Sequence, residues 1–209
     1  MVQGRPVFLD VRDDSYFLLE PPHEQQFLEL VAKPAGVMNA GHSLRAALGL
    51  PEGSKLPRLA QCPAATRGIY DGSERLPRTR ILDVISLWRT LVRVRRALKT
   101  LALETILSDV TTDGTDRADA SESVAERATC FAAARKAIAI APNCLLDSLA
   151  LLEWLGPSRG AASLVFAVKL DPFAAHCWIQ SNDLLLNDRL DEIARFHPVR
   201  VVTCSRATR

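Results

Sequence analysis

Residues 145–155, Leu-Leu-Asp-Ser-Leu-Ala-Leu-Leu-Glu-Trp-Leu, limit what this chain can fold into more than any other stretch. Apolar residues fall on nearly every face of a helix drawn through them. Such a helix has to be buried on all sides, at the centre of a domain. Asn143 in front of the run is a good N-cap, and Gly156-Pro157 behind it is a good stop. Cys144 therefore falls in the first turn. Free backbone N–H groups and the positive end of the helix dipole favour a thiolate there.

Two apolar, β-rich runs follow, residues 163–170 and 174–180, with Asp171-Pro172 between them as a turn. On the second run Ala174, His176, Trp178 and Gln180 share one face of a strand, and Ala175, Cys177 and Ile179 share the other. Ser181-Asn182-Asp183 reads as a three-residue loop, and residues 184–188 read as the returning strand. That register sets Gln180 opposite Leu184, Trp178 opposite Leu186, and His176 opposite Asp188. Directly opposed residues carry Cβ atoms about 5 Å apart, close enough for a carboxylate to hold an imidazole ring. A two-residue loop would slip the register by one and turn Asp188 to the other face. Nucleophile, base and orienting carboxylate would come in the order Cys144, His176, Asp188.

Cys-Leu-Leu-Asp-Ser-Leu-Ala-Leu at 144–151, Leu-Val-Phe-Ala-Val at 164–168, Pro-Phe-Ala-Ala-His-Cys-Trp-Ile at 172–179 and Leu-Asn-Asp at 186–188 resemble the transglutaminase-like B proteins of lasso peptide biosynthesis. The resemblance covers about the last 90 residues, and Ala167 departs from the glycine that many members carry there. It implies a papain- or transglutaminase-like fold with Cys144, His176 and Asp188 as the catalytic residues. It also implies a leader peptidase, which cuts a ribosomal precursor peptide at the end of its leader. A separate asparagine-synthetase-like cyclase would then close the ring. Fused members carry an N-terminal element that grips the leader.

Composition is compatible with this. A chain of 209 residues that is 48% apolar suits one or two real cores. A net charge of +2 gives no support to nucleic-acid binding. Cys62, Cys130, Cys144, Cys177 and Cys204 are odd in number and form no CxxC pair, which reads as reduced thiols in a cytoplasmic protein. No run reaches the roughly 18 apolar residues of a membrane span, nothing resembles a signal peptide, and there is no Walker motif. No cofactor is expected; any ATP dependence would come through the partner cyclase. A zinc site built from Cys144, His176, Cys177 and Cys204 has poor ligand spacing.

Earlier in the chain, Val7, Leu9 and Val11 alternate, residues 12–15 form a turn, and residues 16–20 form a second strand. Pro21-Pro22 opens a helix with Phe27, Leu30 and Val31 that ends before Pro34. Residues 42–50 and 54–67 read as two further short helices. A hairpin plus three helices suggests a small winged-helix-like domain. Its likeness to leader-recognition elements places leader contacts on Tyr16, Phe17, Leu18, Leu56 and Leu59; such a peptide adds as a strand. Ile81, Val84, Trp88, Leu91, Val94, Leu98 and Leu101 form the stripe of one long amphipathic helix, and Arg89, Arg93 and Arg96 lie on another face. Residues 108–121 read as a mobile loop, and Ser123-x-x-Glu126 as a capping box. Val124, Ala128, Phe131, Ala134 and Ile138 then line the next helix.

The expectation is an α+β protein. Residues 1–80 would bind the leader, 81–121 would connect, and 122–209 would be a papain- or transglutaminase-like peptidase domain with a central Cys-bearing helix on an antiparallel sheet. Trp178, two residues from His176, is assigned to the substrate side, shielding the His176–Asp188 bond from water. Cys130, Cys177 and Cys204 read as inert core, and His23, His42 and His197 as surface residues. Acyl transfer to an amine and a non-catalytic peptide-binding module remain open beside hydrolysis.

Overall fold

The computed structural model describes residues 1–32, 41–51, 61–70, 77–112 and 121–203. Everything structural below refers to them. Strands β1 (Val7–Asp10) and β2 (Ser15–Leu18) form the expected hairpin, with Phe8 opposite Phe17 and Leu9 opposite Tyr16. Helix α1 (Pro21–Ala32) begins at the proline pair, and α2 (His42–Ala47) follows. Phe27, Leu30, Leu44 and Leu48 make a small core with Phe8 and Phe17 packed on it. Because side chains alternate along a strand, the other face of the hairpin, Leu9 and Val11, lies on the large core instead. His23 Nε2 lies 2.7 Å from Ser43 Oγ.

The third helix expected over 54–67 falls largely outside the described residues, and its described end is extended. There Arg67–Gly68 is strand β3. It pairs in parallel with β6 (Leu184–Leu185), so this piece of the N-terminal third belongs to the C-terminal sheet.

Helix α3 (Ile81–Thr100) stops at Leu101, and a separate helix α4 (Leu103–Thr112) follows. Residues 108–112 are therefore helical, not loop; the rest of the expected loop up to residue 120 lies outside the described residues. The buried stripe of α3 is Leu87, Thr90, Leu91 and Val94, whereas Trp88 and Ile81 are exposed. The stripe read from sequence was rotated because apolar residues cover a wide arc of this helix. Packing against α5 (Ser121–Lys136) and α6 (Cys144–Leu155) chooses which part is covered. Helix α5 already runs from Ser121, so Ser123 lies inside it and not at its cap. Val124, Ala128, Phe131, Ala134 and Ile138 are buried as expected.

Helix α6 is the centre of the large core. Leu146, Leu149, Ala150, Leu151, Leu152 and Leu155 are buried on all its sides. Helices α3 and α5 cover one flank, and one face of a five-stranded sheet covers the other. The sheet order is β3-β6-β5-β4-β7, with β4 Ser163–Leu170, β5 Phe173–Ser181 and β7 His197–Thr203. The β4–β5 hairpin turns at Asp171-Pro172, where the peptide bond is cis. Leu164, Phe166, Cys177 and Ile179 face α6. Val165, Ala167, Trp178 and Leu185 face the opposite side, closed by Ile193 of the short helix α7 (Leu190–Ile193).

The hairpin after β5 differs from expectation. Ser181 pairs with Leu184 and Gln180 with Leu185, so the loop is the two residues Asn182-Asp183. Asn182 sits at φ +51°, the left-handed backbone that primed two-residue turns require and that asparagine tolerates. Asp183 is anchored from outside: its carboxylate accepts from Arg67 at 2.9 and 3.0 Å and from Thr66 Oγ1 at 3.0 Å. Asn182→Gly should leave stability almost unchanged, whereas Asn182→Val should lose about 1–2 kcal/mol. Urea denaturation of the two variants beside the wild type checks this.

Candidate active site

Strand β6 ends after two residues, and the site depends on that. Leu186 N–H still donates to Ile179 O at 2.9 Å, but at the next position the ladder is replaced by a side chain: Ile179 N–H donates to Asn187 Oδ1 at 2.7 Å. Asn187 Nδ2 donates to Ser148 Oγ on α6 at 2.9 Å, which pins the segment to the central helix. Released from the pleat, the next residue is not bound to the face that the register dictates. The side chain of Asp188 turns to His176, and its Oδ2 accepts from the His176 ring at Nε2. Asp188 Oδ1 also accepts from the Arg189 N–H at 2.7 Å. The expected strand 184–188 and its register are thus corrected, while the expected His176–Asp188 contact is present. It arises from a break in the strand, not from direct pairing.

In an antiparallel strand every second residue points its N–H and C=O to the same edge. Cys177 therefore presents these groups at the edge used by Ile179, beyond the end of β6. Helix α6 fills that gap. Ser148 Oγ donates to Cys177 O at 3.5 Å. One turn earlier on α6, the Cys177 thiol, the His176 ring and the Cys177 backbone N–H lie close enough to Cys144 to favour its thiolate.

The helix tip is held by side chains of its own. Asn143 Oδ1 caps the Leu146 N–H at 2.9 Å, as expected. Arg135, from the end of α5, donates to Asp147 Oδ1 at 2.7 Å and to the carbonyls of Ile138 and Ile140 at 3.2 and 2.9 Å. Asp147 Oδ2 accepts from the Asn143 N–H at 3.2 Å. This partly buried pair fixes how the chain enters α6, and hence where Cys144 points.

The electrostatics follow from these contacts. The Cys144 thiol is brought down to about 4, first by the Cys177 hydrogen bond and then by His176, against the upward push of burial. His176 is raised to about 9, mainly by its bond to Asp188 and by the bond to Cys144. Each group is charged because the other is. The thiolate exists above about pH 4 and the imidazolium below about pH 9, so the ion pair is populated between the two. With Nε2–H given to Asp188, Nδ1 is the nitrogen left to exchange a proton at the sulfur.

Other expected residues are distributed unevenly. The Tyr16 ring packs edge-on to Phe173 at 6.0 Å, and burial and the sulfurs of Cys177 and Cys144 raise its hydroxyl, so it lies close to the site. Phe17 stacks on Phe8 at 5.4 Å in the small core, and Leu18 is exposed. Leu56, Leu59 and Cys204 lie outside the described residues. Trp178 is only 2% exposed and donates its Nε1–H to Gln180 Oε1 at 2.8 Å. Its ring lies 6.1 Å from that of His176.

Sequence reasoning passed over Cys177, Ser148, Asn187 and Tyr70. Along the strand Cys177 points away from the His176 side chain; the helix tip meets it on that other face. Asn187 and Ser148 carried no signal beyond being polar within apolar runs. The Tyr70 hydroxyl is raised by burial and by the carboxylates of Asp188 and Asp147.

Iodoacetamide should label Cys144 with a half-maximal rate near pH 4 and a plateau up to about pH 9. Cys62, whose thiol burial pushes up, should react only in alkaline solution. Peptide mapping by mass spectrometry across the pH range reads both.

No curated protein and no solved structure matches the chain significantly. The profile of the Transglutaminase-like superfamily matches residues 88–201, which is more than half of the chain and holds all three residues of the Cys144–His176–Asp188 cluster. The matched region begins inside α3. The chain belongs to the transglutaminase-like superfamily, whose members are typically Cys–His–Asp enzymes and include both cysteine peptidases and acyltransferases.

Proposed function

We propose that this protein is a cysteine peptidase that hydrolyses the leader–core bond of a ribosomally made lasso precursor peptide, freeing the core N-terminus for a separate asparagine-synthetase-like cyclase. The observation that carries the reading is the meeting of the Cys144 sulfur, the His176 ring and the Asp188 carboxylate at the tip of α6. The sequence likeness over 144–188 supplies the substrate class.

In this mechanism the Cys144 thiolate attacks the carbonyl of the last leader residue. The oxyanion forms beside the first turn of α6, where the Cys144 N–H is placed to receive it. His176 gives its proton to the core amine as the C–N bond breaks, leaving the leader as a thioester on Cys144. Cys144 and His176 are only half-buried, so water reaches that thioester. Neutral His176 takes a proton from the water, hydroxide adds to the carbonyl, and the thiolate leaves. Asp188 keeps the ring in one tautomer and stabilises the imidazolium throughout. The hairpin that carries Tyr16 and Leu18 supplies leader contacts beside the site, and binding there raises the local concentration of the scissile bond.

Cys144→Ala should abolish cleavage and keep leader binding, measured by mass spectrometry and by fluorescence polarisation of a labelled leader. Asp188→Asn should lower kcat between about 10²- and 10⁴-fold. Incubation of the precursor with an excess of a primary amine separates the two chemistries of the superfamily. A leader product heavier by water supports hydrolysis; a leader product carrying the amine establishes acyl transfer instead.

A further inference from the structure

The mechanism above leaves one buried nucleophilic group unused. Cys177 is 3% exposed and lies on the face of β5 that packs on α6, in the same cluster as Cys144. Its sulfur is 3.9 Å from Ser148 Oγ, and Ser148 sits one helical turn beyond Cys144. Ser148 is fully buried and bonds in two other directions, to Asn187 and to the Cys177 carbonyl. Asn187 in turn holds Ile179 N–H and precedes Asp188. An unbroken line of polar contacts thus runs from the segment bearing the carboxylate, across the central helix, to the Cys177 thiol. Leu149, Leu152, Ile179 and Leu186 make the rest of this core apolar. A cysteine that only filled space there would need no such neighbours.

We propose that Cys177 is a positioning residue for the nucleophile: its S–H donates to the Cys144 sulfur and holds it at the helix tip, against the open edge of β5 and in line with His176. The inference rests on the reading of Cys144 as the nucleophile, but not on the peptide assigned as substrate. Two adjacent sulfurs do not both ionise. The charge settles on Cys144, which has the imidazole and the helix tip, and the proton stays on Cys177, whose thiol is pushed well up by the same bond. The Ser148 contact is long for a hydrogen bond. It sets the rotamer of Cys177 and leaves the proton for Cys144. The backbone N–H of Cys177 favours the thiolate as well.

The test is the pH dependence of Cys144 alkylation by iodoacetamide in the full chain, followed by mass spectrometry. Cys177→Ala removes the donor and should move the midpoint up by about one to two pH units. Cys177→Ser keeps a donor and should stay near the wild type, a rescue that space-filling does not predict. If Cys177→Ala loses the native circular dichroism spectrum, Ser148→Ala replaces it, with an expected shift in the same direction. An unmoved midpoint in a folded Cys177→Ala or Ser148→Ala protein overturns the proposal, even if peptide cleavage proceeds normally. A shifted midpoint in a protein that cleaves no precursor upholds it and removes only the substrate assignment.

Discussion

The N-terminal tip of α6 is lodged against an unfinished strand edge, and the other features of the site follow from that contact. Strand β5 is longer than its neighbour β6, so part of its edge would leave N–H and C=O groups without partners. Buried backbone groups rarely stay unpaired. Here the helix takes the place of the missing strand, with Ser148 on the Cys177 carbonyl and Cys144 near enough to the Cys177 N–H for that group to favour its thiolate. The same shortage of strand lets the chain after Leu186 leave the pleat and bring Asp188 to His176. One structural gap therefore assembles all three groups.

The charges at this spot are maintained by donors, not by exposure to water. Burial alone would keep Cys144 protonated, and the neighbouring Cys177 thiol and N–H and the His176 imidazolium outweigh it. The imidazolium is stabilised in the same way by Asp188 and by the thiolate. Arg135 and Asp147 stand outside this exchange. A partly buried ion pair is weak evidence for added stability; here it ties the end of α5 and the carbonyls of Ile138 and Ile140 to the first turn of α6, so that the sulfur has a defined position. The N-terminal hairpin is shared between two cores. Phe8 and Phe17 belong to the small one, and Leu9 and Val11 to the large one, which places Tyr16 beside Phe173 near the sulfur.

Much of the site was legible because it rests on local rules. An N-cap, an all-round apolar run and a glycine stop describe α6 without reference to the rest of the chain. Alternation along residues 174–180 divides β5 into its two faces correctly. Alternation alone does not give the hairpin register, because Asn-Asp forms the primed turn and because Arg67 and Thr66, over a hundred positions away, anchor Asp183. The α3 stripe was misread because an amphipathic pattern gives a range of faces, and the neighbouring helices select one. Adjacent residues of a strand point apart, and that rule alone keeps Cys177 away from His176. The rule says nothing about a helix tip that meets one face and an imidazole that reaches round from the other.

What the sequence determined by itself was the central helix with a thiol at its tip, the β-hairpin topology around His176, and the identity of the three residues that meet. These follow from hydrophobic periodicity and capping, which act over a few residues. Only the tertiary structure decided how they meet: a ladder that ends early, an asparagine that replaces a backbone partner, a buried thiol beside Ser148, and a tyrosine from the far end of the chain. Those depend on contacts between elements distant in sequence, where the deciding factor is which buried polar group finds a partner, and no local pattern encodes that.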